Sequence, residues 1–167
     1  MVDTTSTCFY ELYDEESYEG FIKSVEVLFR KSPEYVMWLS TIDNSHCFLS
    51  GLGKESVEIE VHHYGKTLWA IVEDILDYFI RNKIFVNSFL VCLILTDLHF
   101  NGCVDYIPVT HDIHKMLHKN PTLAHQTYPN MDDLVIRGDM ELKTQIIKKW
   151  AERAKTNFSK DVFLMED

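Results

Sequence analysis

The chain has 167 residues, 46% of them hydrophobic and 25% charged, enough for one compact domain with a core and short for two. Its net charge of −10 argues against tight nonspecific binding to nucleic acid, but six acidic residues and no Lys or Arg fall in residues 1–20. The longest apolar run, residues 84–98, holds Asn87, Ser88, Thr96 and Asp97, so a buried segment is expected and no membrane span.

The start, Met1-Val2-Asp3-Thr4-Thr5, has neither a basic nor an apolar leader region, so no secretory signal is expected. Cys8, Cys47, Cys92 and Cys103 are scattered without a CxxC pair, which fits a cytoplasmic protein better than a disulfide framework or a four-cysteine zinc ribbon.

Residues 1–18 read as an acidic N-terminal segment, and residues 19–167 as a single domain. Phe21, Val25, Leu28 and Phe29 stand at helical spacing over 19–31. Ser32-Pro33 supplies an N-cap and a first-turn proline for a second helix to about Ile42, with Tyr35, Trp38 and Leu39 inward. After a turn at Gly51 and Gly53, Val57 to Val61 alternates apolar with acidic residues, the period of a half-buried strand. His62 and His63 follow at its end.

Gly65-Lys66-Thr67 caps a helix from Leu68 to about Asn82, and another helix runs from about Asn87 to Phe100. Asn101-Gly102 is a turn signal. A short strand over 104–109 contains Pro108, which suits an edge. Thr110 caps a helix carrying His111, His114 and His118. Pro121 and Pro129 mark an irregular stretch. A last amphipathic helix, roughly Met140 to Asn157, turns Leu142, Ile146, Ile147, Trp150 and Ala154 inward and carries the basic cluster Lys143, Lys148, Lys149, Arg153 and Lys155.

His114 and His118 lie one turn apart on one helix face, and adjacent strand residues point to opposite sides. One imidazole of the His62-His63 pair can therefore ligate a metal with the helix pair while the other faces substrate. An imidazole with an ordinary pKa near ~6.5 can deprotonate water at neutral pH, and a divalent ion can neutralise charge on a phosphodiester. His46 and His125 read as loop histidines.

Glu60-Val61-His62-His63, then Asp105-Tyr106-Ile107-Pro108-Val109-Thr110, then His114-Lys115-Met116-Leu117-His118 resemble the HNH (ββα-metal) endonucleases. The HxxxH form is similar to colicin-type DNases, and the surrounding sequence looks most like small HNH-like proteins of bacteriophages. The resemblance covers about residues 30–120.

Together with the elements above, the resemblance gives an α+β fold, a mostly helical single domain whose ββα-metal motif spans 57–118; the two predicted helices inserted between His63 and Pro108 depart from the family's short hairpin. It places His62, His114 and His118 as ligands of one divalent ion (Mg²⁺, Mn²⁺ or Zn²⁺), and His63 as general base. Asp105 stands where the family has Asn, holding the loop or orienting the base. His99 is a further candidate near the metal or a phosphate, and His111, at the helix start, a further one facing solvent or substrate. The implied function is phosphodiester hydrolysis in DNA. Two rivals remain: an inactive HNH-like module that binds a host or phage protein, and a domain in which the metal only stabilises the fold.

Overall fold

The computed structural model describes residues 15–162, with side chains described for 16–156. Its elements in chain order are α1 (Glu15–Arg30), α2 (Pro33–Thr41), β1 (Ile59–His63), α3 (Leu68–Arg81), α4 (Ser88–Phe100), β2 (Tyr106–Thr110), α5 (His111–Lys119), α6 (Pro121–Thr127), α7 (Met131–Leu134) and α8 (Met140–Val162). The result is a mostly helical α+β fold with one small antiparallel sheet.

Several helix starts among the described residues have a side-chain cap, Asn120 and Asp139 included. Ser32, Thr67, Asn87 and Thr110 each accept the backbone N–H three residues on, which satisfies one otherwise orphaned donor per helix. At the end of α4, Gly102 takes φ +65°, a left-handed conformation that closes the expected Asn101-Gly102 turn.

α4 is apolar nearly all round and runs through the centre of the larger core. Leu90, Val91, Ile94, Leu95 and Leu98 are buried on it. α1, α2, α3 and α8 pack against it, contributing Phe29, Trp38, Phe79 and Ala151 among others. A helix hydrophobic on every side needs neighbours on every side, and the amphipathic helices supply them.

β1 and β2 pair with His62 opposite Ile107 and His63 opposite Tyr106. Residues directly opposite share a face. Val61, His63 and Tyr106 therefore look into the helical core. Ile107 and Val109 look the other way, into a second core with Ile113, Leu117, Ala124 and Met131. α5 lies over this second face, beside Glu60 and His62.

The expectations differ from the structure at several boundaries. Residues 15–18, assigned to the acidic segment, are the first turn of α1; residues 1–14 lie outside the described residues. β1 begins two residues later than expected, because the turns around Gly53 extend to residues 56 and 57 through their bonds to the Gly53 carbonyl. Its histidines are thus inside the strand. The stretch after Pro121 is helical in two short pieces, with Asn120 capping the first. Pro108 sits where its carbonyl accepts from Phe48 at 2.9 Å, so no sheet donor is missed.

Gly138 fixes the return from α7 to α8. A Cβ there would lie 2.5 Å from the backbone nitrogen of Val104, and backbone cannot yield as a side-chain tip does. We expect Gly138→Ala to destabilise the fold by about 1–3 kcal/mol, the usual range for overpacking. Urea unfolding of the variant beside wild type measures it, and an unchanged midpoint would contradict the tight approach.

Candidate metal centre

His62, on the α5-facing side of β1, meets His114 and His118 from successive turns of α5. One ring nitrogen from each lies within 4.8 Å of the others. The Nε2 atoms of His114 and His118 are 3.0 Å apart, and the His62 ring centroid is 5.0 Å from each of theirs. Two bonds of ~2.0–2.1 Å at a tetrahedral angle leave ligand nitrogens about 3.3 Å apart, so the spacing fits a small divalent ion.

The tautomers also fit. The Glu60 carboxylate contacts His114 Nδ1, and Nδ1 must donate because a carboxylate only accepts. The lone pair of His114 is then on Nε2, facing its neighbours. A second Glu60 oxygen accepts from His111 Nδ1 at 2.6 Å. Burial opposes ionisation of Glu60, but the hydrogen bonds from His114 and His111 hold it below the usual carboxylate range. A carboxylate orienting a ligand histidine is the usual outer-shell arrangement of such sites.

Burial, then the neighbouring His114 and His118, pushes His62 down to about 4. Burial also lowers His118, with His114 the next cause. Crowded, uncharged imidazoles are what a cation requires as ligands. Replacing Glu60 by Gln leaves one oxygen acceptor for two N–H donors. We expect Glu60→Gln to weaken divalent-ion affinity about 10–100-fold, the range for lost outer-shell partners. A competition titration against a chromophoric chelator reads this directly; unchanged affinity would reject the orienting role.

The structure brings together His62, His114 and His118, with His111 joined to them through Glu60. His63 turns to the other face of β1 and is 5% exposed. Its Nε2 is 3.0 Å from Nε2 of His99, and its ring stacks on Trp38 at 6.2 Å between centroids. His99, 2% exposed, does not join the trio: its Nδ1 donates to the Leu95 carbonyl at 2.7 Å. His99 Nε2 must therefore accept from His63, leaving the basic lone pair of His63 on Nδ1.

Asp105 braces a loop. Its carboxylate accepts from Arg137 at 3.0 Å and from the Gly138 N–H at 2.7 Å, while its backbone carbonyl accepts from Tyr64. Asp105 thus bonds to the turn before α8, and the hydrogen-bond partner of His63 is His99. His125, expected as a loop histidine, lies on α6 with Nε2 2.9 Å from the Tyr64 hydroxyl.

Arg30 is the residue that sequence reading missed. From the end of α1 it lines the same shallow cleft as His62, His63, Thr67, His114 and His118. It pairs only loosely with Glu26, at 4.0 Å. No spacing rule connects a helix end to a strand and a helix so far along the chain, so no local signal could have found it.

An antiparallel strand pair followed by a helix, with three imidazoles converging between them, defines a small α+β protein built around a histidine cluster of metal-site geometry. The chain belongs to the bacteriophage G278-like virion protein family, whose model matches residues 2–162. That family supports the bacteriophage origin expected above. No curated protein and no solved structure matches the chain. Among the described residues no helix is long and apolar enough to cross a membrane.

Proposed function

We propose that this virion protein is a metal-dependent phosphodiesterase of HNH type acting on DNA. The observation that carries the reading is the meeting of His62, His114 and His118 between β1 and α5, with Glu60 behind His114. Three imidazoles bound to a divalent ion leave coordination positions open, as catalytic sites do, and the ion supplies Lewis acidity and positive charge at the phosphate.

The chain's own residues supply the remainder. Arg30 neutralises charge on a phosphate entering the cleft, as a guanidinium suits a phosphate's paired oxygens. Burial, then His99, holds His63 well below the ordinary imidazole value, so it is uncharged at neutral pH. An uncharged imidazole lining the cleft can accept the proton of an attacking water. His99 fixes its ring and its tautomer.

The test is nicking of supercoiled plasmid by purified protein with Mg²⁺, Mn²⁺ or Zn²⁺, comparing wild type with His63→Ala. Metal-dependent cleavage that falls about 10²–10⁴-fold in the variant, the range of a general base, is expected. Equal cleavage by both rejects the base assignment.

A second reading is favoured by the near-complete burial of His63 and by the exposure of Phe89, Val36 and Met37. In it the cluster holds a stabilising ion and the protein acts by binding a host or phage protein. Stoichiometric metal with no cleavage of any nucleic acid, and one captured partner, would favour this second reading.

A further inference from the structure

Away from the histidines, Lys66, Asp74, Tyr78, Lys143, Thr144 and Ile147 line a cavity of about 310 Å³ between α3 and α8. Its charges do not balance. The two Asp74 oxygens lie 2.7 and 2.6 Å from Lys66 Nζ, and Asp74 Oδ2 is 2.6 Å from Lys143 Nζ. One carboxylate thus answers two ammonium groups, in a chain whose overall charge is −10.

Lys143 sharpens the imbalance. Its side chain is only 7% exposed. A buried ammonium needs acceptors for three N–H bonds, and its one hydrogen bond among the described residues goes to the shared Asp74 oxygen. A bridge tying α8 to α3 would need one lysine. The second leaves a surplus positive charge facing the cavity.

Among the remaining walls, Tyr78 and Ile147 offer hydrocarbon surface to the body of the ligand, while Thr144 commits its hydroxyl hydrogen to the Met140 carbonyl, so the donors to the anion are the two lysines. Lys66 directly precedes Thr67 and Leu68, which line the histidine cleft, so cavity and cleft adjoin along the chain.

We propose that this cavity is a binding site for a phosphoryl group, with Lys66 and Lys143 as its cationic donors. A free nucleotide and a nucleic-acid strand carry the same group. Only the strand case rests on the nuclease reading, as a subsite beside the cleft.

The test uses the full chain freed of metal by chelation, with Arg30→Ala as background so that the cleft contributes no guanidinium. Inorganic phosphate, a nucleoside monophosphate and a short single-stranded oligonucleotide are titrated separately, followed by lysine side-chain NMR. Saturable binding is expected, weakened about tenfold by Lys66→Ala, the order for one lost charge-assisted contact.

Asp74→Asn removes the internal competitor and tightens binding by a similar factor; a purely structural bridge would lose stability with no gain in affinity. Binding by phosphate or the monophosphate identifies a free-anion site. Binding by the oligonucleotide alone identifies a strand subsite. Should none of the three bind, or should affinity ignore both substitutions, the site does not exist. Because Lys143→Met can fail to fold, the conclusion rests on the other two variants. Retained phosphate binding by a His118→Ala chain that cannot cleave plasmid separates this site from the fate of the nuclease reading.

Discussion

Zn²⁺ at about a hundred times its dissociation constant should raise the melting temperature of wild-type protein by roughly 5–10 °C. Ligand linkage gives about 2.7 kcal/mol at that excess, and each kcal/mol moves the midpoint of a chain this long by about 2–4 °C. His118→Ala should abolish the rise. The substitution removes a nitrogen that stands 3.0 Å from His114 Nε2 and leaves the α5 face otherwise intact, since His118 is exposed at the end of its helix.

Ion affinity should drop on the order of 100-fold or more, at least what an outer-shell loss costs. Plasmid cleavage should go with it. A variant that retains both the thermal shift and stoichiometric metal would show that the trio is not the site. His46→Ala is the control, because its ring contacts Ser45 and Phe48 and none of the cluster.

Acid should weaken the metal-free fold steeply between pH 6.5 and about 4. His99 is packed among Phe29, Tyr35, Trp38 and His63, with ring centroids 4.7–6.0 Å away. Burial pushes it down to about 4 from its ordinary 6.5, with the Leu95 carbonyl opposing and Arg30 assisting.

The unfolded chain therefore takes up a proton that the folded chain refuses throughout that window. Stability falls as pH falls, and the loss is complete near the folded value. The span from 6.5 down to about 4 corresponds to roughly 3 kcal/mol. His63, lowered by the same burial, acts in the same direction.

Urea midpoints at pH 7, 5.5 and 4.5, with chelator present, measure the effect. His99→Gln keeps a polar partner for His63 but does not titrate, so its decline should be shallower. A wild-type midpoint that stays level from pH 7 to 4.5 would mean that the imidazole pair is open to water.

Much of the local structure could be read from residue order. Ser32, Thr67 and Thr110 announce helix starts because a side-chain oxygen before a periodic apolar run satisfies a backbone donor in any context. The His114–His118 pair was readable for a similar reason, since helical period alone sets two residues on one face. The alternation of His62 and His63 was equally plain.

The alternation by itself left open which of the two faces α5, and only the resemblance named His62; in the fold the choice rests on the larger core claiming Val61, and with it His63, for the other face. His99 and Arg30 also come from helices whose placement only packing decides. Asp105 could be matched to its place before Pro108, but its partners Arg137 and Gly138 belong to a turn 32 and 33 residues on.

The two helices lodged between β1 and β2 bear on how the protein matures. Glu60 of β1 pairs with Val109 of β2 across 49 residues of chain, so the two strands cannot zip up as a hairpin does in microseconds. We expect α3 and α4 to dock before the strands find register, with the imidazoles facing one another only after that. Ion capture should therefore be a late event in refolding, lagging behind recovery of helical circular dichroism, and a nascent chain would have little grip on metal until most of its length had collapsed.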